Sequence, residues 1–233
     1  MIILIVIALL TGTGNTHIMS AILTHRNHTT YNPYDRPSHP LLVVISGPSG
    51  VGKDTVVQEL LKRSDNFHFV VTATSRPPRK NEVDGVDYIF VSEDEFELMI
   101  EDDELLEYAW VHDNYKGVPK QQIRDALDSG RDVLMRVDPQ GAATLKDLIP
   151  SAVFIFLMAE SESAMAKRLR GRRSETEDKI NLRLKIAREE LTRIHEFDYC
   201  VINREGELEE TVSQIMYIIK ARRHRVEQEP ISI

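Results

Sequence analysis

A glycine-rich segment in the first quarter of the chain has the residue types and spacing that bind nucleotide phosphates. It consists of Gly47, Pro48, Ser49, Gly50, Val51, Gly52 and Lys53. The apolar run Leu41–Ile45 precedes it and the amphipathic segment Thr55–Arg63 follows it, which predicts a loop between a strand and a helix. In that setting, backbone N–H groups and the helix N-terminus face the phosphates, and Lys53 reaches the β- and γ-phosphates. The segment therefore predicts a nucleoside triphosphate site.

The residue after the lysine is unusual for such a loop. A hydroxyl that holds Mg²⁺ is expected there, whereas this chain has Asp54, followed by Thr55. A carboxylate beside a triphosphate is repulsive unless a cation lies between them. We therefore expect Asp54 either to hold Mg²⁺, directly or through water, or to be neutralised by a cation of the protein.

A second group of candidate phosphate ligands follows the next apolar run. Arg76 and Arg79 flank two prolines, and Tyr88 ends the segment Gly85–Tyr88. Two arginines three positions apart on a proline turn can hold one dianionic phosphate between them. A solvated cluster of surface charges is the alternative for these residues taken alone.

The apolar pattern predicts an α/β fold. Five short runs without polar alternation are typical of buried parallel strands: Leu41–Ile45, Phe67–Thr72, Val133–Val137, Val153–Met158 and Tyr199–Ile202. Amphipathic helical segments alternate with them at Thr55–Arg63, Glu162–Leu169 and Ile180–Ile194. This alternation predicts a doubly wound parallel sheet with flanking helices. It is interrupted by Arg76–Gly130, which predicts an inserted lobe with a short strand at Asp87–Val91 and two acidic helical segments.

Composition excludes several classes of function. The chain has 233 residues and a net charge of −8, so we expect no nucleic-acid partner, because proteins that bind nucleic acid backbones are usually basic. Anionic substrates must be met by local arginines rather than by the overall charge. The single cysteine, Cys200, excludes an intrachain disulfide, and its apolar neighbours predict a buried thiol.

Residues 1–39 differ from the rest and predict an N-terminal extension. The apolar run Ile2–Leu10 is far shorter than the ~20 residues of a membrane-spanning helix, so no stable membrane insertion is expected. No acidic residue precedes Asp35, which indicates an organelle-targeting segment. A nonfunctional extension, or a start at Met19, is the alternative.

These motifs resemble those of guanylate kinases, in order and in spacing, from about residue 41 to residue 220. The matching segments are the glycine-rich loop, Thr72–Arg79, Gly85–Tyr88, Leu106–Ala109, Val137–Gly141 and Glu175–Glu177. Two further segments, Tyr115–Asp125 and Arg136–Asp138, look most like the plant organellar branch of that family, plastid and mitochondrial. The resemblance implies a P-loop nucleoside monophosphate kinase fold over residues 40–225, with a GMP-binding lobe at about 73–130, a helical lid at about 160–190 and a C-terminal tail at 226–233.

The resemblance also implies an activity and the residues that carry it. The activity is transfer of the γ-phosphoryl group of ATP to GMP, with Mg²⁺ as the cofactor. The implied ATP site comprises Gly47, Pro48, Ser49, Gly50, Val51, Gly52, Lys53, Asp54 and Thr55, together with Asn203 at the adenine. The implied GMP site comprises Thr72, Arg76, Arg79, Tyr88, Glu107, Lys116 and Asp138. The implied catalytic residues are Lys53, Arg79 and the lid arginines Arg168, Arg172 and Arg183, and Asp54 is the candidate Mg²⁺ ligand.

The chemistry of Glu107 supports this specificity independently. A carboxylate accepts hydrogen bonds from the N1–H and the exocyclic amine of guanine. Adenine lacks that amine and presents a lone pair at N1, so the carboxylate would be left unpaired. A buried polar mismatch of this kind discriminates strongly between ligands.

Three positions depart from the wider family. Lys116 stands where many members have a tyrosine that contacts the GMP phosphate, and Val118 replaces a hydroxyl residue that helps to hold the base. Arg136 stands where members usually have an acidic residue, two positions before Asp138. Because this strand end lies beside the phosphate loop in such folds, we expect Asp54 to pair with Arg136 and to take over positioning of the cation.

Two other functions remain open at this point. Guanylate kinase-like domains of scaffold proteins keep the fold but bind peptides, and a catalytically weak module of this kind is one alternative. A kinase for another nucleoside monophosphate is the other. The resemblance to the organellar branch favours a plastid or mitochondrial location, with the cytoplasm as the alternative, and a monomer or weak homodimer is expected.

Overall fold

The computed structural model describes residues 38–233, except 81, 111–112 and 172–176. Its strands are β1 (Leu42–Ser46), β2 (Phe67–Phe69), β3 (Ala73–Thr74), β4 (Ile89–Phe90), β5 (Leu105–Trp110), β6 (Tyr115–Pro119), β7 (Asp132–Arg136), β8 (Val153–Ala159) and β9 (Tyr199–Asn203). Its α-helices are α1 (Lys53–Arg63), α2 (Glu93–Glu101), α3 (Lys120–Asp128), α4 (Pro139–Leu148), α5 (Glu162–Arg170), α6 (Glu177–Leu191) and α7 (Leu208–Arg223). A 3₁₀ helix spans Thr192–Glu196.

Five strands form a parallel sheet in the order β2-β7-β1-β8-β9. Every residue of the central strand β1 is buried, and its Val44 lies opposite Met135 of β7 and Phe154 of β8. Successive side chains of a strand point to opposite faces, and here Val43 packs with α1, α5, α6 and α7 whereas Val44 packs with α3 and α4. Helices therefore cover both faces, which confirms the predicted α/β fold with a parallel sheet.

The carboxyl ends of the parallel strands carry the candidate site. The glycine-rich loop follows β1, Asp138 follows β7, and α5 follows β8. In open α/β sheets the crevice at these strand ends is where ligands bind. The central sheet thus places the loop, Asp138 and the start of the lid segment along one edge.

A second sheet lies within the segment predicted as an inserted lobe. It has the strand order β4-β3-β6-β5, with β3 parallel to β4 and antiparallel to β6. Its own small apolar cluster contains Ala73, Phe96 and Leu105. Helix α2 supplies Phe96, and Ser92 caps this helix with a reciprocal capping box to Glu95.

Most predicted elements end within two residues of the observed ones, but two differ by more. The strand predicted at Phe67–Thr72 stops at Phe69, because the side-chain amide of Gln122 takes both backbone hydrogen bonds of Val71, each at 3.0 Å. The helix predicted at Ile180–Ile194 begins earlier, at Glu177, and tightens into the 3₁₀ helix after Leu191.

The prediction of a buried thiol was wrong, because Cys200 is exposed. Its strand, β9, is an edge strand of the central sheet, and the alternation along it buries Val201 and Asn203 on the other side. Among the described helices, none is long and apolar enough to cross a lipid bilayer.

Candidate active site

The phosphate loop is built on glycines that no other residue could replace without strain. Gly47, Gly50 and Gly52 have φ angles of 136°, 88° and 93°, in the region that disfavours side chains. A Cβ on Gly47 would lie 2.0 Å from the backbone oxygen of Leu157 in β8. The loop is therefore packed against the neighbouring strand, and it leads directly into α1.

Lys53 begins α1 and folds back over the loop. Its Nζ donates hydrogen bonds to the backbone oxygens of Gly47, at 2.5 Å, and of Pro48, at 3.1 Å. Burial lowers the pKa of Lys53 to about 8, and the charges of Glu190, Asp54 and Asp138 only partly oppose this shift. A triphosphate in the loop would raise that pKa again, because opposite charge favours the ammonium form. The Lys53 ammonium thus lies against the loop, and its contact with the β- and γ-phosphates stays a prediction.

Helix α6 brings one cation and one carboxylate to the same loop. Arg183 donates a hydrogen bond from its guanidinium to the hydroxyl of Ser49. The backbone N–H of Ser49 donates to Oε2 of Glu190 at 3.3 Å. Burial raises the pKa of Glu190, and the nearby charge of Lys53 acts in the opposite direction. The predicted lid residue Arg172 lies outside the described residues.

Arg168 and Asn203 hold the loop from its far side. Arg168 donates from Nη1 to the backbone oxygen of Val51, at 3.2 Å, and from Nη2 to that of Asn203, at 2.7 Å. The Asn203 amide donates to the same Val51 oxygen at 2.8 Å and accepts from Thr211 at 3.2 Å. Asn203 is only 7% exposed and packs on Gly52, where a Cβ would lie 2.6 Å from its amide nitrogen. Both side chains position the loop; the adenine contact of Asn203 stays a prediction.

The arginine fork, which comprises Arg76, Arg79 and Tyr88, lies in the lobe beside β4. Arg76 makes a bidentate ion pair with Glu82, at 2.7 and 2.8 Å, and its guanidinium lies 5.0 Å from the ring centroid of Tyr88. The hydrogen bond from Arg76 is the main reason that the pKa of Glu82 is lowered. Arg79 is exposed, and its backbone N–H also donates to Glu82, at 2.7 Å. Glu82 thus binds the Arg76 side chain and the Arg79 backbone, while Tyr88 lies against Arg76.

Thr72 and Lys116 lie at neighbouring strands of the lobe. Thr72 directly precedes β3, and its backbone oxygen accepts from the N–H of Ile89 at 3.0 Å. Lys116 lies on β6, opposite Thr74 of β3. Val118, by contrast, is 1% exposed and packs in an apolar cluster, so its side chain replaces the family hydroxyl with a core contact.

Glu107 and Asp138 meet where the lobe faces the central sheet. Asp138 caps α4 by accepting a hydrogen bond from the N–H of Gly141 at 2.9 Å. Gly141 leaves room for Glu107, since a Cβ there would lie 3.3 Å from Oε1 of Glu107. Burial, and secondarily the charge of Asp138, raise the pKa of Glu107 to about 7. A largely buried carboxylate that needs hydrogen-bond donors suits the guanine edge.

The predicted pairing of Asp54 with Arg136 is confirmed. Nη1 of Arg136 lies 2.5 Å from Oδ1 of Asp54, and the side chains are 19% and 57% exposed, respectively. Asp54 keeps an accessible carboxylate in the first turn of α1, and Thr55 beside it is exposed as well. A carboxylate oxygen, waters and substrate phosphates are the ligands that Mg²⁺ prefers, so this donor set fits a cation that arrives with the nucleotide.

Sequence reasoning missed Glu82 and Glu190. Glu82 lies six residues after Arg76, in a charged segment without periodic pattern. Glu190 reaches a loop 141 residues away along the chain, and only the fold of α6 over the loop brings them together. A sequence signal existed only for Glu82, as an acidic residue inside the arginine motif.

Known proteins resemble this chain over nearly all of its described length. The family model described as guanylate kinase matches residues 39–222. A relative from Oryza sativa subsp. japonica, "Guanylate kinase 2, chloroplastic/mitochondrial", is 53% identical over 208 residues, which cover 88% of this chain and 73% of the relative. The guanylate kinase of Halalkalibacterium halodurans is 46% identical over 78% of this chain and 88% of its own length.

A solved structure resembles the fold as well. The crystal structure of guanylate kinase from Anaplasma phagocytophilum has a TM-score of 0.67 and 31% sequence identity, and the match covers 82% of this chain and 89% of that one. The family match at residues 39–222 includes the phosphate loop, the arginine fork and Glu107. The chain therefore belongs to the guanylate kinase family.

Proposed function

We propose that this protein transfers the γ-phosphoryl group of ATP to GMP, giving ADP and GDP. The observation that carries the proposal is the Glu107 carboxylate, which lies against Gly141 at the junction between the lobe and the central sheet. A phosphate loop on one side and an arginine fork on the other make a site for two phosphates in addition to the base. The family relatives named guanylate kinase support the same activity.

The residues have separate tasks in this reaction. Arg76, Arg79, Tyr88 and Lys116 hold the phosphate of GMP, so that one of its oxygens faces the γ-phosphorus. Lys53 and the loop N–H groups hold the β- and γ-phosphates of ATP. Phosphoryl transfer needs little covalent help from the protein, and positioning with charge neutralisation accounts for most of the catalysis. Arg183, together with Arg168 and Arg172, supplies further positive charge from the lid segment.

Glu107 makes the site specific for guanine. Its carboxylate accepts from the N1–H and the exocyclic amine of guanine, and Asp138 and Thr72 border the same region. Cytosine, uracil and adenine do not present this pair of donors. Each would leave the carboxylate desolvated and unpaired, which costs about 1–3 kcal/mol or more for a charged group.

Asp54 would hold the Mg²⁺ that accompanies ATP. The cation supplies charge neutralisation between the β- and γ-phosphates when bound. Among the described residues no group of three or more histidine, cysteine or acidic side chains forms a metal cage. This is compatible with a Mg²⁺ that is held mainly by phosphate oxygens and water.

The activity is tested by following ADP release from ATP and Mg²⁺ with GMP, AMP, CMP or UMP as the acceptor. Turnover with GMP alone is expected for the full chain. Lys53→Met is the matched control, because it removes the charge at the loop and should abolish turnover with every acceptor. Binding of GMP without turnover would instead favour a guanylate kinase-like binding module, and turnover with another monophosphate would overturn the assignment of the base.

We also propose a location and an oligomeric state for this protein. The chloroplastic/mitochondrial name of the rice relative and the absence of acidic residues before Asp35 support an organellar site for this enzyme, plastid or mitochondrion. Import of the full chain into isolated organelles, compared with residues 40–233, tests this. We infer a monomer or weak homodimer, which light scattering across a range of protein concentrations checks.

A further inference from the structure

Arg136 lies between the two phosphate sites and belongs to neither of the predicted sets. It is the last residue of β7, at the carboxyl edge of the central sheet. On one side it pairs with Asp54, which follows Lys53 in the phosphate loop. On the other side its guanidinium lies 5.8 Å from the ring centroid of Tyr88, a residue of the arginine fork.

The ring of Tyr88 links this arginine to the fork. The guanidinium of Arg76 lies 5.0 Å from the same ring centroid, so both cations share one aromatic neighbour. Phe69, at the end of β2, also contacts Arg136, with its ring centroid 5.6 Å from the guanidinium. Cations near aromatic faces are attracted by the ring quadrupole. Two rings and a carboxylate therefore hold Arg136 at the junction.

The guanidinium still has donors to offer. It carries five N–H bonds, and within the described part of the chain only Nη1 makes a hydrogen bond, to Asp54. The side chain is 19% exposed, so the guanidinium is largely shielded from bulk solvent. Its charge is also felt at Lys53, where it opposes the ammonium form. Arg136 is therefore close enough to Lys53 to interact electrostatically with the loop that is proposed to hold the γ-phosphate.

We propose that Arg136 is a further catalytic arginine, which binds oxygens of the phosphoryl group as this group passes from ATP to GMP. The proposal rests on the proposed function. In the transfer, an oxygen of the GMP phosphate forms a bond to the γ-phosphorus, and the bond from that phosphorus to the β-phosphate oxygen breaks. The electron pair of that bond leaves with ADP. Arg136 gains or loses no proton; it donates hydrogen bonds to the charge that develops between the two nucleotides.

The competing interpretation is that Arg136 only neutralises Asp54. The two interpretations differ in which ligand should bind more weakly when the arginine is removed. A neutralising partner affects ATP binding alone, through Asp54. A catalytic arginine between the sites interacts most strongly with a phosphate chain that occupies both sites at once.

The test uses an inert bisubstrate analogue in which five phosphates join adenosine to guanosine. Its dissociation constant is measured by calorimetry for the full chain, for Arg136→Met and for Arg136→Lys, alongside those of ATP and GMP alone. Arg136→Met is expected to weaken binding of the analogue about tenfold to a hundredfold, the effect of losing a hydrogen bond between charged groups, and binding of GMP about threefold or less. ATP should be weakened by an intermediate factor, because the unpaired Asp54 then repels the triphosphate. Arg136→Lys keeps the charge without the planar fork and should fall between the two. Equal losses for ATP and the analogue would overturn the proposal.

Turnover gives a second readout. With GMP as the acceptor, Arg136→Met should lower kcat about a hundredfold or more with a small change in KM. The same substitution is then made in an Asp54→Asn background, where no carboxylate needs a partner. Because Asp54 is the candidate Mg²⁺ ligand, the readout there is binding of the bisubstrate analogue without Mg²⁺. A catalytic arginine remains costly to lose there, whereas a mere partner of Asp54 becomes dispensable, which would overturn the proposal.

Folding and the proposed function are controlled separately. Arg63→Met removes an arginine that pairs with Glu209 at the other end of α1, about 15 Å from the loop, and should leave all three dissociation constants unchanged. Melting temperatures show whether Arg136→Met is folded, and Arg136→Lys keeps the test open if it is not. An unsubstituted chain that does not phosphorylate GMP would refute the proposed function itself. Normal turnover in both the unsubstituted chain and Arg136→Met would refute only the role of Arg136.

Discussion

At the scale of single residues, Glu107 is the group whose chemistry responds most directly to pH. Its pKa is raised to about 7, mainly by burial. Below that pH the carboxyl is protonated in the free enzyme and loses an acceptor for the guanine N1–H and amine. We therefore expect kcat/KM for GMP to fall as pH drops through about 7, because this parameter reports the free enzyme. Rates between about pH 5.5 and pH 9 measure it.

The substrate titrates in the same range, so the control must separate the two. The phosphate of GMP takes its second proton near pH 6, as phosphate monoesters do. Glu107→Gln should remove the step near pH 7, keep the step near 6, and lower kcat/KM for GMP about tenfold to a hundredfold at pH 8. A profile that is identical in shape for both enzymes would assign the whole pH dependence to GMP and contradict the role of Glu107.

The same pKa predicts an effect on stability with the opposite sign from most carboxylates. Since the folded-state pKa lies above the usual value of 4.5, the folded protein binds more protons than the unfolded chain between those two pH values. Stability must fall as pH rises through that window. Glu107→Gln, which carries no charge at any pH, should therefore raise the melting temperature more at pH 8 than at pH 4. Calorimetric scans at both pH values check the sign.

At the scale of elements, the lobe has its own small core, and this makes it separately vulnerable. Phe96 of α2 is fully buried, and its ring stacks on Tyr115 of β6 with centroids 4.9 Å apart. It also packs against Gly117, where a Cβ would lie 2.9 Å from the ring. Phe96→Ala should cost about 3–5 kcal/mol of local stability. Because Glu107 and Lys116 lie on the strands of this sheet, KM for GMP should rise about tenfold or more while ATP binding is retained.

A matched core substitution in the central layer is the control. Leu60 of α1 is also fully buried, but it belongs to the cluster under the parallel sheet. Leu60→Ala should lower the melting temperature without a selective effect on GMP. If Phe96→Ala changed the binding of ATP and GMP to the same degree, the lobe would not open independently.

The elements also show where sequence reasoning succeeds and where it does not. The parallel strands were predictable because both of their faces are covered, which leaves continuous apolar runs such as Val153–Ala159. Strands β3 and β6 were not, because one has two residues and the other, Tyr115–Pro119, contains a lysine, a glycine and a proline. Their pairing depends on partners elsewhere in the chain, which local propensity does not report.

The residues of the candidate site also differ in how well the sequence alone predicts them. The glycine-rich loop and arginine motif are local in sequence, so their residues could be predicted one by one. Glu82, which pairs with the arginine motif, is local as well, whereas Glu190 reaches Ser49 across 141 residues. The pairing of Asp54 and Arg136, 82 residues apart, was predictable only because two changes of opposite charge fell at positions that the fold brings together.

At the scale of the whole molecule, the two substrate sites lie on different layers that meet along a short seam. The phosphate loop belongs to the central sheet, and the fork and Glu107 belong to the lobe. Described contacts across the seam are apolar where Leu106 and Val118 of the lobe pack with the cluster under the central sheet. They are of another kind where Arg136 lies beside Tyr88 and Glu107 lies against Gly141. Because apolar side chains cross the seam, a change in its geometry would also disturb the packing of Leu106 and Val118. The seam also gathers cations such as Lys53, Arg76 and Arg136 in a chain whose net charge is −8.

The C-terminal tail supports this seam from outside the site. Ile231 and Ile233 pack against the apolar cluster that includes Leu106 and Phe197. Ile233 also borders an open cavity of about 480 Å³ whose wall includes Glu107. The tail is remote from the site in sequence, but Ile233 lines the same cavity as Glu107 of β5.

Deletion of Ile231–Ile233 should therefore have two effects. The free energy of unfolding should fall by about 1–3 kcal/mol, since two half-buried isoleucines lose their contacts. KM for GMP should rise a few-fold through looser packing of Leu106, the neighbour of Glu107, with ATP binding unchanged. Urea unfolding and steady-state kinetics measure the two effects. Serine at both positions 231 and 233 keeps the chain length and should reproduce both, because the contact is apolar; wild-type stability in both variants would mean that the tail does not pack on the core in solution.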